Sequence, residues 1–144
     1  MVCKVKIIEE PDLRDPVLVE GLPGIGLIAN MAVAFLIKKL EAKKFGEITS
    51  NAFPDISVSE KEGIVKPPFC HLYYHRGKRS GERDLILLYG NTQALTRRGQ
   101  YELCGLILDV SEKLGCKYVI TLGGYRPGKR VEKPNLYLSL IHIS

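Results

Sequence analysis

Hydrophobic residues along this chain fall into two kinds of stretch. Short unbroken runs, Val17–Val19, Leu85–Tyr89 and Tyr118–Leu122, are each followed within two residues by glycine. Runs of that length read as buried strands. Two longer stretches carry apolar residues at helical spacing. From Leu27 to Leu40, residues Ile28, Met31, Ala32, Phe35 and Leu36 form a stripe that predicts a core-facing helix. Lys38, Lys39, Lys43 and Lys44 give its end the charge that suits a helix C-terminus. From about Gly99 to Leu114, the stripe is Leu103, Leu106, Ile107, Val110 and Leu114. Thr96 is placed to cap this second helix and Gly115 to stop it.

Weaker patterns fill the remainder. Lys4–Ile8, Pro16–Glu20, Lys44–Ile48, Phe53–Val58, Ile64–Val65 and Phe69–His75 read as strands, with Ser59–Gly63 a polar turn. Arg76–Arg83, with Gly77 and Gly81, reads as a hairpin loop. Strand, glycine loop, helix, strand is the order of parallel βαβ units, so the expected fold is a three-layer α/β sandwich with a mainly parallel sheet. In such a sheet the ends at Glu20-Gly21, Tyr89-Gly90 and Leu122-Gly123 share one rim, where ligands usually sit.

The 144 residues suffice for one domain, with 45% hydrophobic content. No run of about 18 apolar residues suggests a membrane span, and the start of the chain reads as no secretory signal. Cys3, Cys70, Cys104 and Cys116 lack metal-site spacing and suit reduced thiols in a cytoplasmic protein. Charge is uneven: residues 1–62 carry 8 basic and 10 acidic side chains, residues 63–144 carry 13 and 6. The excess lies in Arg76–Arg79, Arg97-Arg98 and Arg126–Lys133. Because these are glycine- and proline-containing loops, solvated basic loops are favoured over a nucleic-acid site.

Gly24-Ile25-Gly26-Leu27-Ile28-Ala29 matches a dinucleotide fingerprint between a strand and a helix. Gly21 already supplies the tight turn, however, so the match starts three residues late. A turn packed against the sheet is the preferred reading, with an anion at the helix N-terminus left open. Gly90-Asn91-Thr92-Gln93 brings amides and a hydroxyl to the same rim, and Arg97 and Arg98 follow at a helix entrance. Those arginines suit a phosphate or carboxylate, or else solvent and Glu102. His71 and His75, four apart in a strand, stand about 13 Å from one another, too far for a shared metal. No G-x-S-x-G nucleophile elbow is present.

At these loops the sequence resembles the PAC2 family, the proteasome assembly chaperone 2 proteins and their archaeal relatives, sometimes given an ATP-grasp superfamily label. The segments that carry the resemblance are Val17–Gly26, the helix and strand to Glu47, Phe53-Pro54, Asp84–Gln93, Gly99–Glu102 and Tyr118–Tyr125. It extends over about residues 5–134. It implies a nucleoside-phosphorylase-like α/β fold used as a scaffold, with no cofactor, no metal and no reaction. The implied partners are proteasome α-subunits or the core particle, and the implied state is a homo-oligomer. Residues 1–134 then form the N-terminal part of one domain that is incomplete at its C-terminus. Residues 135–144 read as a non-native tail, without the hydrophobic-Tyr-X ending of archaeal members. The alternative is an enzyme or small-molecule-binding protein taking a nucleotide, nucleoside or carboxylate at the rim. The residues expected at a binding rim are Gly21, Pro23, Gly24, Gly26, Gly90, Asn91, Gln93, Arg97, Arg98, Gly123, Gly124 and Tyr125.

Overall fold

The structure, a computed structural model, describes residues 2–59 and 61–139. Residues 140–144 of the expected tail and Glu60 of the expected turn lie outside them. Among the described residues, eight strands and two long helices follow one another as β1 (Cys3–Ile7), β2 (Val17–Gly21), α1 (Ile28–Leu40), β3 (Lys43–Ser50), β4 (Val58–Ser59), β5 (Val65–Lys66), β6 (Cys70–His75), β7 (Leu85–Gly90), α2 (Arg97–Lys113) and β8 (Tyr118–Thr121). Six of the strands form one sheet in the order β1-β3-β6-β7-β2-β8, while β4 and β5 pair separately. The expected strand over Phe53–Val58 is a loop up to Val58, although Phe53 is buried.

The sheet departs from the mainly parallel arrangement expected for a nucleoside-phosphorylase-like fold. Only β2–β7 and β2–β8 are parallel ladders, whereas β1–β3, β3–β6 and β6–β7 are antiparallel. The cause is the hairpin at Arg76–Arg83, which folds β6 back along β7 with His75 opposite Leu85. That places an opposed strand between β3 and β7. A two-ended hairpin joins antiparallel neighbours directly, and only the crossover helices produce parallel pairs.

The helices cover opposite faces of the sheet. On one, Leu103 and Ile107 of α2 pack with Leu18, Phe45, Ile48, Leu72, Ile86 and Leu88. On the other, Val33 of α1 packs with Val19 and Leu87. Period-two alternation along β2 and β7 explains the split. α2 matches its predicted stripe, and the Thr96 hydroxyl accepts a hydrogen bond from the Gly99 N–H at 3.0 Å. Gly115 adopts φ +84 just beyond the helix, a left-handed turn that glycine takes without strain.

α1 is rotated from its predicted orientation. Ala29 and Val33 are buried, while Ile28, Met31 and Phe35 are 52%, 59% and 65% exposed. The cause is the close approach of helix and strand. Gly21 lies so near α1 that a Cβ there would stand 2.4 Å from Val33 Cγ2 and 2.5 Å from the Ala29 carbonyl. Small and β-branched residues permit that approach, and bulkier Met31 and Phe35 turn outward. β8 was expected to be buried and is exposed throughout, because it is an edge strand.

Candidate functional site

The ends of β2, β7 and β8 meet on one border of the sheet. The parallel registers set Gly21 beside Tyr89, and Glu20 beside Thr121. The three expected loops, with Gly21, Pro23, Gly24 and Gly26 in the first, Gly90, Asn91 and Gln93 in the second, and Gly123, Gly124 and Tyr125 in the third, therefore converge. Contact is close between the first and third. A Cβ on Gly124 would stand 2.2 Å from the Ile25 carbonyl oxygen, so only glycine fits this backbone-to-backbone crossing.

The glycines divide by role. Gly21, Gly90 and Gly124 are packing positions, since each hypothetical Cβ meets a backbone carbonyl within 2.5 Å. Gly24 and Gly123 face open space. Gly26 has φ +66 and Leu27 has φ +55, two successive left-handed residues before α1 begins. A leucine in that region is uncommon and signals a backbone held by its surroundings.

Side-chain amides lock the loops to one another. Asn30 Nδ2 donates to the carbonyls of Gly90 (2.6 Å) and Gly21 (3.3 Å), across the gap between β7 and β2. Gln93 Nε2 donates to the Pro23 carbonyl, and Gln100 Nε2 donates to Gln93 Oε1 at 2.8 Å. Asn91 turns away, accepting from Phe69 N–H at 2.8 Å and donating to the Pro67 carbonyl at 3.1 Å. β2 and β7 send their helices to opposite faces, so the gap between them is where an open α/β sheet ordinarily admits a ligand. Here Asn30 spans it.

Beside this border, between α2 and the β2–β8 surface, lies a cavity of 470 Å³. Leu18, Leu103, Ile107 and Val119 line its body, while Glu20, Gln93, Gln100 and Thr121 line its polar end. Glu20 is half-buried, and burial raises its carboxyl above the ordinary range, opposed by the Leu22 N–H that donates to Oε1 at 2.7 Å. Among the described residues, the lining contains no lysine, arginine or histidine. Of the expected site residues, Gly24, Gln93, Gly123 and Gly124 border this cavity.

Arg97 and Arg98 do not line it. Both are exposed in the first turn of α2, and Arg98 pairs with Glu102 at 2.9 Å. Tyr125 is exposed and meets Tyr137 edge-on, with ring centroids 5.8 Å apart. The basic hairpin Arg76–Arg79 precedes β7 and so lies at the opposite end of the sheet from the rim. There the buried Asp84 carboxylate accepts from Arg14 and Gly77 N–H groups at 2.6 and 2.8 Å.

Two potentially reactive side chains are quenched. Burial pushes the Cys70 thiol up to about 12. His71 is lowered to about 4, first by burial and then by the Lys44 ammonium, whose Nζ is 3.2 Å from Nε2. Glu20 and Asn30 were absent from the residues expected at the site. Their signal was present: an acid closing an apolar strand, and an amide inside the first turn of an apolar helix.

The model of the PAC2 family matches residues 18–140. The uncharacterized protein MJ1210 of Methanocaldococcus jannaschii is 34% identical over 134 residues, 93% of this chain and 50% of that protein. PbaB of Pyrococcus furiosus, described as an archaeal proteasome activator, superposes with a TM-score of 0.83 at 34% identity, over 92% of this chain and 55% of PbaB. PbaA of the same organism, described as an archaeal homolog of proteasome-assembly chaperone, gives 0.65 at 26% identity, over 90% and 50%. The chain thus spans about half the length of these relatives.

Proposed function

The chain belongs to the PAC2 family, and from that membership we propose a proteasome-assembly-chaperone-like protein that docks on proteasome α-subunits or the core particle. The reading is of a cytoplasmic binding protein that works as a homo-oligomer and catalyses no reaction. One structural observation carries it beyond the likeness to PbaB and PbaA. Ile25, Leu27, Ile28, Met31 and Phe35 are all exposed, at successive positions from the first rim loop along α1. Several exposed large apolar side chains on one ordered element favour protein contact. The rim residues Pro23, Gly24, Gly123 and Tyr125 lie in the loops of the same border, and exposed Arg97 and Arg98, the latter paired with Glu102, supply the basic groups offered to acidic partner surfaces.

The cavity argues against a nucleotide or carboxylate as the ligand of the rival reading. A nucleotide or carboxylate ligand needs cationic groups or free amides. The lining instead presents the Glu20 carboxylate, and the amides of Asn30 and Gln93 already bond to loop carbonyls. The ATP-grasp label therefore receives no role here. Immobilised chain incubated with purified proteasome α-subunits tests the proposal. Retention of α-subunits, with PbaB run alongside, is expected; passage of all α-subunits unretained while PbaB retains them overturns it.

A further inference from the structure

We propose that the cavity between α2 and the β2–β8 surface binds a small organic amine, with the ammonium on Glu20 and the alkyl or aryl body against Leu18, Leu103, Ile107 and Val119. This is a second property of the domain, independent of proteasome docking. Three observations converge on it. The volume, 470 Å³, falls within the usual span of small-molecule sites, about 300–1,000 Å³. Four aliphatic side chains from two strands and a helix supply walls that gain from excluding water.

The third observation is charge. Among the described residues that line the cavity, Glu20 is the sole ionisable acid or base, cysteine aside. A carboxylate taken partly out of water without a cation beside it is costly, and a ligand ammonium removes that cost while gaining a charge-assisted hydrogen bond. Glu20 is also pre-positioned. Its Oε1 accepts from Leu22 N–H, which fixes the carboxylate and aims it from the α2 side of β2. Neighbouring polar groups are committed elsewhere: Gln100 donates to Gln93 and accepts from Ala94 N–H at 3.2 Å, and Gln93 donates to Pro23. Thr121, level with Glu20 in the parallel register, contributes a hydroxyl at the same end. Carboxylates and phosphates meet the wrong sign, and a neutral hydrocarbon leaves Glu20 desolvated and unpaired.

The test is calorimetric titration at pH 8 with hexylamine, phenethylamine, hexanol and hexanoate. The amines are expected to bind at least about tenfold more tightly than hexanol, and hexanoate not to bind. In Glu20→Gln the amine preference is expected to vanish while hexanol binding stays. Leu108→Lys, a half-exposed position at the cavity wall, gives a second variant that keeps Glu20 and places a competing ammonium nearby; it too is expected to weaken amine binding. Alkylation of Cys104, which is exposed and lines the same cavity, is expected to slow when amine is present. Equal affinity for hexylamine and hexanol, amine binding unchanged in both variants, or no amine binding at millimolar concentration overturns the proposal.

Discussion

Asn30, in the first turn of α1, donates its side-chain amide to the carbonyl oxygen of Gly90 at 2.6 Å, tying the start of a helix to the end of a strand 60 residues further along. A weaker bond to Gly21 joins the second strand end. Asn30→Ala leaves two strand-end carbonyls without this donor. A loss of about 1–3 kcal/mol is expected, measured by urea unfolding. Asn30→Asp is expected to cost more than Asn30→Ala, because a carboxylate then faces carbonyl oxygens. Stability within about 0.3 kcal/mol of the parent in both variants contradicts the role of Asn30 as a clasp.

Glycines in the first loop are expected to respond oppositely to alanine. At Gly21 the added carbon meets the Ala29 backbone oxygen at 2.5 Å, and helix and strand must separate. A loss of about 1–3 kcal/mol is expected for Gly21→Ala, the ordinary cost of overpacking. At Gly24 the backbone is extended and nothing stands within 4 Å, so Gly24→Ala is expected to change stability by less than about 0.5 kcal/mol. Thermal unfolding of the two variants checks the contrast.

Thiol reactivity follows burial. Cys104 is exposed, Cys3 and Cys70 are buried, and Cys116 is partly buried with its thiol raised by burial. At pH 8 one thiol is expected to react rapidly with an aromatic disulfide reagent, and Cys104→Ser to abolish that phase. Cys70, pushed up to about 12, is expected to react only on unfolding. A fast phase surviving in Cys104→Ser contradicts the packing described here.

His71 sets a pH dependence with a definite sign. Its folded-state value is about 4, below the ordinary 6.5, so between these limits the unfolded chain binds a proton that the folded chain does not. Its contribution is present above pH 6.5 and is lost as pH falls toward 4. Unfolding midpoints in urea are expected to drop across that window, and less steeply in His71→Phe. A phenylalanine there keeps the stacking on Phe69, whose ring centroid lies 4.2 Å away, without the titration. Identical slopes for the two proteins contradict the assignment.

Local features were more legible in the sequence than long-range ones. The hairpin at Arg76–Arg83, the Thr96 cap and the Leu103–Ile107 face each follow from residues close together in the chain, and each forms. The convergence of the Gly21, Gly90 and Gly123 loops followed from strand–helix order, because a crossover helix returns the chain to the same edge of the sheet. The place of β6 between β3 and β7 was not legible, since strand pairing across a sheet depends on partners distant in sequence. The orientation of α1 was missed for a different reason. Apolar residues occupy both of its faces, Ile28, Met31 and Phe35 on one and Ala29, Val33 and Leu36 on the other. Periodicity cannot rank two such faces; the tight contact at Gly21 does. The Asn30 clasp depends on that same packing, whereas the Glu20 carboxylate is set on the other face by its bond from Leu22 N–H.

The most direct measurement is a calorimetric titration of purified proteasome α-subunits into this chain and into a Met31→Asp, Phe35→Asp double variant, whose altered side chains are both exposed on α1. Saturable binding by the parent chain, weakened at least about tenfold in the double variant while urea stability is kept, is the expected result. Absence of binding by the parent, or equal binding by both, contradicts the claim that the rim and the outward face of α1 form the docking surface.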